Sequence, residues 1–125
     1  MSKKVYCLAQ FLPKDGQEAA LFQVLQQLEP NTLREDGCLQ YLVTRQIQSP
    51  FAAGNSYPIV FNEVWADLAS FEAHCQRNEI KDFFQTEVAK KCIAIDVNSR
   101  FETKPAYKSE IKLRKFKKLL YENKI

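Results

Sequence analysis

The stretch Ile59-Val60-Phe61-Asn62-Glu63-Val64-Trp65 decides the fold of this 125-residue chain. Five of its seven residues are β-branched or aromatic, which favours a strand. Apolar side chains stand at both alternating sets of positions, so both faces of the strand are mainly apolar. Such a strand belongs in the middle of a sheet. The rest of the chain should therefore supply flanking strands and a cover for each face.

Three further segments have the pattern of strands. Residues 4–12 alternate between two sets of side chains, and residues 38–47 follow Gly37, which is a typical helix stop. Residues 93–102 alternate apolar and polar side chains, which predicts a strand with one polar side. Residues 48–57 are rich in turn-forming residues and predict a long loop between strands two and three.

Helical periodicity fills the two remaining gaps. The first helix is predicted to begin at an Asp15 cap, and Pro30 to kink or restart it. Two shorter helices are predicted to begin at Asp67 and Asn78. The apolar stripes recur at helical spacing. They are Ala20, Leu21, Val24, Leu25 and Leu28 in the first helix, Leu68, Phe71 and Cys75 in the second, and Ile80, Phe83, Phe84 and Val88 in the third.

The order of these elements is β-α-β-β-α-β, which predicts an α+β fold of the ferredoxin-like type. It places four antiparallel strands in one sheet and the helices on one face. The other face then needs a cover. Pairing two sheets in a homodimer provides it and forms a dimeric α/β barrel. We expect this domain to occupy residues 1–102.

Residues 103–125 form a basic extension outside this pattern. They contain eight basic and two acidic residues, so their net charge is +6 against +3 for the whole chain, which leaves the body mildly acidic. Apolar residues at helical spacing predict a short amphipathic helix here. Such a helix could pack on the dimer or contact anionic lipid or nucleic acid. Packing is the simpler interpretation, and no nucleic-acid partner is expected.

The cysteines and the hydropathy limit the classes of protein to which the chain can belong. No apolar run reaches the length of a membrane span, and the N-terminus lacks the cleavage site of a signal peptide. None of the four cysteines lies in a C-x-x-C pair, so a zinc site is not expected. We therefore expect reduced, mostly buried thiols and a cytoplasmic protein.

Four short segments carry a resemblance to a known family. They are Leu33 to Tyr41, Asn62 to Trp65, Ser70 to His74, and Ile80 to Phe84. In this order and spacing the sequence resembles the antibiotic biosynthesis monooxygenase superfamily over about residues 4–102. It is nearest in character to the bacterial quinol monooxygenases and to the enzymes that process the phosphorylated autoinducer-2 signal. The resemblance implies oxidation of small, electron-rich aromatic substrates by molecular oxygen, with no metal, haem or flavin cofactor.

Glu63 and His74 are the catalytic candidates that the resemblance implies. Glu63 shares a strand face with Trp65, and desolvation there would raise its pKa toward the range of a general base. From the residues alone, an ion pair of Glu63 with Arg45 or Arg100 is the simpler interpretation. His74, the only histidine, could equally be a structural residue.

The aromatic residues are candidates for the substrate pocket. Trp65, Tyr41, Phe61 and Phe84 are predicted to contact the substrate, although core packing would account for Trp65 and Tyr41 as well. Relatives often have a second histidine where Ile80 stands. Its absence leaves open the alternative of a non-catalytic binding or structural dimer. The first strand offers only Gln10 where the haem-degrading branch uses Asn, so haem degradation is not expected.

Overall fold

The computed structural model describes residues 3–101, and the basic extension lies outside the described residues. The eight main elements follow the predicted order. They are β1 (Val5–Pro13), α1 (Glu18–Gln26), α2 (Glu29–Thr32), β2 (Cys38–Arg45), β3 (Ile59–Trp65), α3 (Leu68–Gln76), α4 (Asn78–Phe83) and β4 (Cys92–Phe101). A π-helical turn, Phe84–Val88, and a 3-10 turn, Ala89–Lys91, connect α4 to β4.

The four strands form one antiparallel sheet in the order β2-β3-β1-β4. The predicted ferredoxin-like α+β fold is confirmed, with β3 in an inner position. Among the described residues the sheet is open, with β2 and β4 at its edges. The register places Cys7 of β1 and Tyr41 of β2 on either side of Glu63. This row of side chains becomes the floor of the site described below.

The hydrophobic core lies between the sheet and the helices. Alternate residues of β1 and β3 point to the helices and are almost fully buried, whereas the sequence pattern predicts a cover on both faces of β3. Leu21 and Leu25 of α1 and Val88 after α4 pack against them from the other side. Burying one large apolar side chain contributes about 1.5–3 kcal/mol, so these contacts dominate the stability of the domain.

The opposite face of the sheet has no cover from residues 3–101 and is less apolar than predicted. Tyr6, Leu8 and Leu42 are 41%, 43% and 47% exposed there. The middle of the face is polar, however, because Asn62 stands between Leu8 and Leu42 in the register. Its amide donates a hydrogen bond of 2.9 Å to Thr44 Oγ1. The uncovered face is thus a mixed surface with apolar side chains around a polar centre.

The helix starts agree with the prediction at some positions only. Asp67 caps α3, because its Oδ1 accepts a hydrogen bond of 2.8 Å from the backbone N–H of Ser70. Asp15 caps no helix, since it lies in a turn with Gly16 and α1 begins at Glu18. Pro30 restarts the helix, because it occupies the first turn of α2, where a missing N–H costs no hydrogen bond. At α4 the capping position is Arg77 and Asn78 is the first helical residue.

Gly37 joins the α2 segment to β2 at a point of very close packing. Its φ of +78° lies in the left-handed region that favours glycine. A Cβ at this position would lie 2.6 Å from Ser70 Cβ on α3. Glycine therefore allows the end of the first helical segment to approach α3, which carries the only histidine.

Candidate functional site

A cavity of about 260 Å³ lies between the helix-side face of the sheet and the pair α3 and α4. Its walls are mainly apolar and its few polar groups converge from β1, β2, β3, α3 and α4. The lining residues are Cys7, Ala9, Tyr41, Glu63, Phe71, His74, Cys75, Ile80, Lys81, Phe84 and Val97. A concave apolar space with a few convergent polar groups is typical of a small-molecule site.

Glu63 is the acidic group of this cavity. Glu63 is only 7% exposed because it lies on an inner strand and faces the helices. Burial is the main cause that raises its pKa from 4.5 to about 7, and the carboxylate of Glu35 acts in the same direction. Hydrogen bonds partly offset this rise, from Trp65 Nε1–H to Glu63 Oε1 at 3.0 Å and from the thiol of Cys7. Glu63 is therefore a carboxyl group that changes its charge near neutral pH.

Neither arginine considered from the sequence pairs with Glu63. Arg45 lies over the ring of Phe22, with 4.4 Å between its guanidinium carbon and the ring centroid. Arg100 stands opposite Tyr6 in the register and so points to the uncovered face of the sheet. Within residues 3–101, Glu63 makes no ion pair with any basic side chain. Its pKa is accordingly set by burial.

His74 is the buried basic group of the cavity and is 4% exposed, whereas Lys81, which also lines the cavity, is an exposed residue. Its Nδ1 lies 2.9 Å from Glu35 Oε2, and Arg77 binds the same carboxylate at 3.0 Å. Burial lowers the pKa of His74 below its ordinary value, and the hydrogen bond and charge of Glu35 only partly oppose this. His74 is therefore a neutral imidazole at neutral pH and can accept a proton.

The α3 helix turns a different stripe inward from the one predicted. Leu68 is 40% exposed and Cys75 is exposed, whereas His74 is the fully buried residue of the helix. Phe71, one turn before His74, lines the cavity with it. The imidazole of His74, hydrogen-bonded to Glu35, occupies the innermost position of the helix in place of an aliphatic side chain, so the buried face is rotated from the predicted one.

Two of the predicted pocket residues form the support of the site and do not face the cavity. Trp65 and Phe61 have no exposed surface and lie in the core behind the wall. Trp65 contacts both candidate catalytic groups, since its ring centroid lies 4.7 Å from that of His74 and its Nε1 bonds to Glu63. Trp65 therefore fixes the relative positions of the acid and the base.

The other two predicted pocket residues do line the cavity. The Tyr41 ring packs against the rings of Phe61 at 4.3 Å and His74 at 5.3 Å. Its hydroxyl is directed to Thr32, and burial raises its pKa above the ordinary value. Phe84 is half-buried at the start of the π-helical turn, a feature that often marks functional sites.

Sequence reasoning assigned no role to several groups that the fold brings to the site. Glu35 binds His74 and Arg77 binds Glu35, both from outside the cavity, and Cys7 and Cys75 line it. Glu35 does lie in the segment that carries the family resemblance, which is the only signal that could have found it. Ile80, where relatives often have a second histidine, is 8% exposed and adds an apolar wall.

Two further observations concern residues 3–101 as a whole. No group of three or more His, Cys, Asp or Glu side chains in this range is arranged to hold a metal ion. No helix in the same range is long and apolar enough to cross a membrane.

Comparisons with known proteins agree with this architecture. A sequence model of the family described as antibiotic biosynthesis monooxygenase matches residues 4–86, which include Glu35, Glu63 and His74. No curated protein matches the chain.

Solved structures share the fold over most of their length. A Shewanella oneidensis protein is 27% identical, with a TM-score of 0.70 over 82% of this chain and 93% of that one. A Pseudomonas aeruginosa protein is 21% identical, with a TM-score of 0.69 over 83% and 98% of the two chains. A candidate antibiotic biosynthesis monooxygenase from Deinococcus radiodurans is 19% identical, with a TM-score of 0.64 over 82% and 94%. The last two are likenesses of fold.

Proposed function

The chain belongs to the antibiotic biosynthesis monooxygenase family, and on that premise we propose that it oxidises a small, quinol-like aromatic substrate with molecular oxygen. The observation that carries the proposal is the Glu63 carboxyl group, which lies in an apolar cavity and has a pKa of about 7. A base with this pKa can take a proton from a phenol at neutral pH. No metal or organic cofactor is part of the proposal.

The size of the cavity sets the size of the substrate. Its volume of about 260 Å³ exceeds the roughly 150 Å³ of an apolar cavity that binds benzene. It is below the roughly 300–1,000 Å³ of sites for drug-sized ligands. We therefore propose a substrate of one or two fused rings. Its flat faces would contact the apolar wall that Phe71, Ile80, Phe84 and Val97 contribute.

The substrate itself supplies the electrons in this reaction. A quinol and O₂ give a hydroxylated quinone and one water, so one oxygen atom enters the ring and the other leaves as water. All four electrons that reduce O₂ come from the substrate. Removal of a phenolic proton produces the electron-rich anion that reacts with oxygen, and proton transfer of this kind contributes about 10²–10⁴ to the rate.

The geometry supports a division of roles among the site residues. Glu63 would accept the first phenolic proton, and His74, neutral at the same pH, would accept or return a second. Trp65 would hold Glu63 through its indole N–H. Tyr41 and Phe84 would contact the substrate ring, and Phe61 would support Tyr41 from the core.

A homodimer is also part of the proposal. Tyr6, Leu8 and Leu42 on the uncovered face are between 41% and 47% exposed, and pairing with a second copy would bury them in a dimeric α/β barrel. The cysteines within residues 3–101 are all unpaired, as is usual in a reducing compartment, so we place the protein in the cytoplasm.

Oxygen consumption by the purified protein tests the proposed function. After treatment with a chelator, it is measured with a panel of reduced benzoquinones and naphthoquinones against an autoxidation blank. We expect uptake that rises with pH through about 7. Glu63→Gln should lower kcat by about 10²–10⁴, whereas Glu72→Gln, at an exposed position on α3, should not change it. No uptake above the blank with any quinol would contradict the proposal.

The alternative is a dimer that binds a small aromatic molecule without turning it over. The apolar Ile80, at the position of the second histidine in many relatives, favours this alternative because one candidate acid or base is absent. Fluorescence of Trp65, the only tryptophan, separates the two possibilities. Saturable quenching by quinols without oxygen uptake would identify a binding protein.

A further inference from the structure

Glu35 is a nearly buried carboxylate for which the reaction outlined above gives no role. One of its oxygens, Oε2, lies 2.9 Å from His74 Nδ1 and 3.0 Å from an Arg77 guanidinium nitrogen. The side chain of His74 is 5% exposed, that of Glu35 11% and that of Arg77 39%. The three groups thus form a line from the surface of the molecule to the cavity.

The contacts around Glu35 determine which nitrogen of His74 carries the proton. A carboxylate only accepts hydrogen bonds, and the guanidinium of Arg77 only donates them. A neutral His74 ring must therefore carry its hydrogen on Nδ1 and donate it to Glu35. Its Nε2 is then unprotonated, and it is the nitrogen left free to act on a ligand in the cavity that His74 lines.

We propose that Glu35 is a positioning residue that fixes His74 in the Nδ1–H form and so presents Nε2 as a proton acceptor to the cavity. The catalytic consequence rests on the proposed function, but the form of the imidazole does not. Without Glu35 the ring would lose its only hydrogen-bond partner within residues 3–101.

Arg77 holds the carboxylate in place from the outer side. Its guanidinium also binds Glu79 at 2.9 Å, so it connects two acidic side chains of different exposure. Because Arg77 requires an acceptor at the shared oxygen position, a glutamine at position 35 would place its carbonyl oxygen there. It would keep both hydrogen bonds and lose only the charge, whereas a leucine would lose the acceptor as well.

Nitrogen NMR of the single histidine tests the proposal directly. The untagged protein, labelled with ¹⁵N-histidine, gives the signals of one imidazole ring, because His74 is the only histidine in the sequence. We expect the Nδ1–H form in the wild type at pH 7.5 and in Glu35→Gln. Glu35→Leu should move the ring toward the Nε2–H form. An Nε2–H ring in the wild type, or an unchanged spectrum in Glu35→Leu, would overturn the proposal.

Oxygen uptake adds the catalytic readout. Glu35→Gln should lower kcat by less than Glu35→Leu, which should lower it about a hundredfold or more, with little change in KM. Glu35 raises the pKa of His74, so loss of its charge should move the part of the pH profile that belongs to His74 toward lower pH. The other titratable groups around His74 are unchanged in these variants; they are Arg77, Tyr41, Glu63 and Cys75.

A control variant and a rate measurement distinguish the proposed role of Glu35 from other effects of the substitutions. Glu79→Gln removes a carboxylate that binds Arg77 but does not contact His74, so it should retain the Nδ1–H form and the wild-type rate. A wild-type rate in Glu35→Leu would overturn the positioning role. If the wild type consumes no oxygen, the proposed function fails, and the NMR result alone still supports or overturns the assignment of Glu35.

Discussion

Replacing Glu63 by glutamine should make the domain more stable above neutral pH. Glu63 is only 7% exposed, and burial raises the pKa of its carboxyl group from 4.5 to about 7. The folded state therefore keeps a proton that the unfolded state has already released. Glutamine has the shape of the protonated acid and can still accept the hydrogen bond from Trp65, but it never becomes charged.

The magnitude follows from the difference between the two pKa values. Below pH 4.5 both states are protonated and the neutral side chain contributes its full stability. As the pH rises from 4.5 through about 7, folding must retain the proton and later bury a charge, so this stability is lost. The total loss for the wild type is about 3 kcal/mol at pH 8. This corresponds to about 10 °C in Tm for a domain of this size.

Urea unfolding at a series of pH values between 4.5 and 8, followed by the fluorescence of Trp65, measures this difference. The free energy of unfolding should decrease with pH in the wild type and much less in Glu63→Gln. The two curves should meet near pH 4.5. Glu72→Gln, at an exposed position, should follow the wild type. Parallel curves for the wild type and Glu63→Gln would show that Glu63 is not desolvated, and the argument for a general base would fail.

Three further predictions concern the fold that builds the site. Gly37→Ala should lower the free energy of unfolding by about 2–4 kcal/mol, because the residue has a positive φ and its Cβ would overlap α3. Gly16→Ala, with a similar φ and open space around it, should cost only about 1 kcal/mol, and equal losses in the two variants would contradict the packing argument. Asp67→Ala removes the cap of α3 and should cost about 1 kcal/mol in thermal unfolding, a loss that an unchanged Tm would disprove. The wild type should sediment as a dimer and the double variant Leu8→Lys, Leu42→Lys as a monomer, and a monomeric wild type would refute the proposed pairing of the uncovered faces.

The candidate site depends on two tertiary features of the fold. The register of the sheet places Cys7, Glu63 and Tyr41 in one row on the helix side. The approach of Gly37 to α3 brings the segment that carries Glu35 to His74, which is 39 residues away in the chain. Each feature joins at least two elements, so the chemistry of the cavity is a property of the assembled domain.

Local pattern in the sequence was enough to determine the order of elements and the fold class. Apolar side chains on both faces of β3 indicated its inner position in the sheet, because side chains on a strand point alternately to its two sides. Pro30 and Asp67 correctly marked a helix restart and a cap, since each acts within its own helix. Gly37 does not end α2, which stops at Thr32, but takes the left-handed conformation in the turn before β2. The sequence also singled out Glu63 and His74 as the ionisable groups of interest.

Only the tertiary structure decided what surrounds those two groups. Whether Glu63 meets an arginine or an apolar wall depends on which strands flank β3, and whether His74 is paired depends on contacts between distant segments. The tertiary structure also places Trp65 behind the cavity and makes His74 the buried residue of α3. These outcomes arise because burial and long-range pairing set the charge of an ionisable group, and neither is encoded in the spacing of residues along one element.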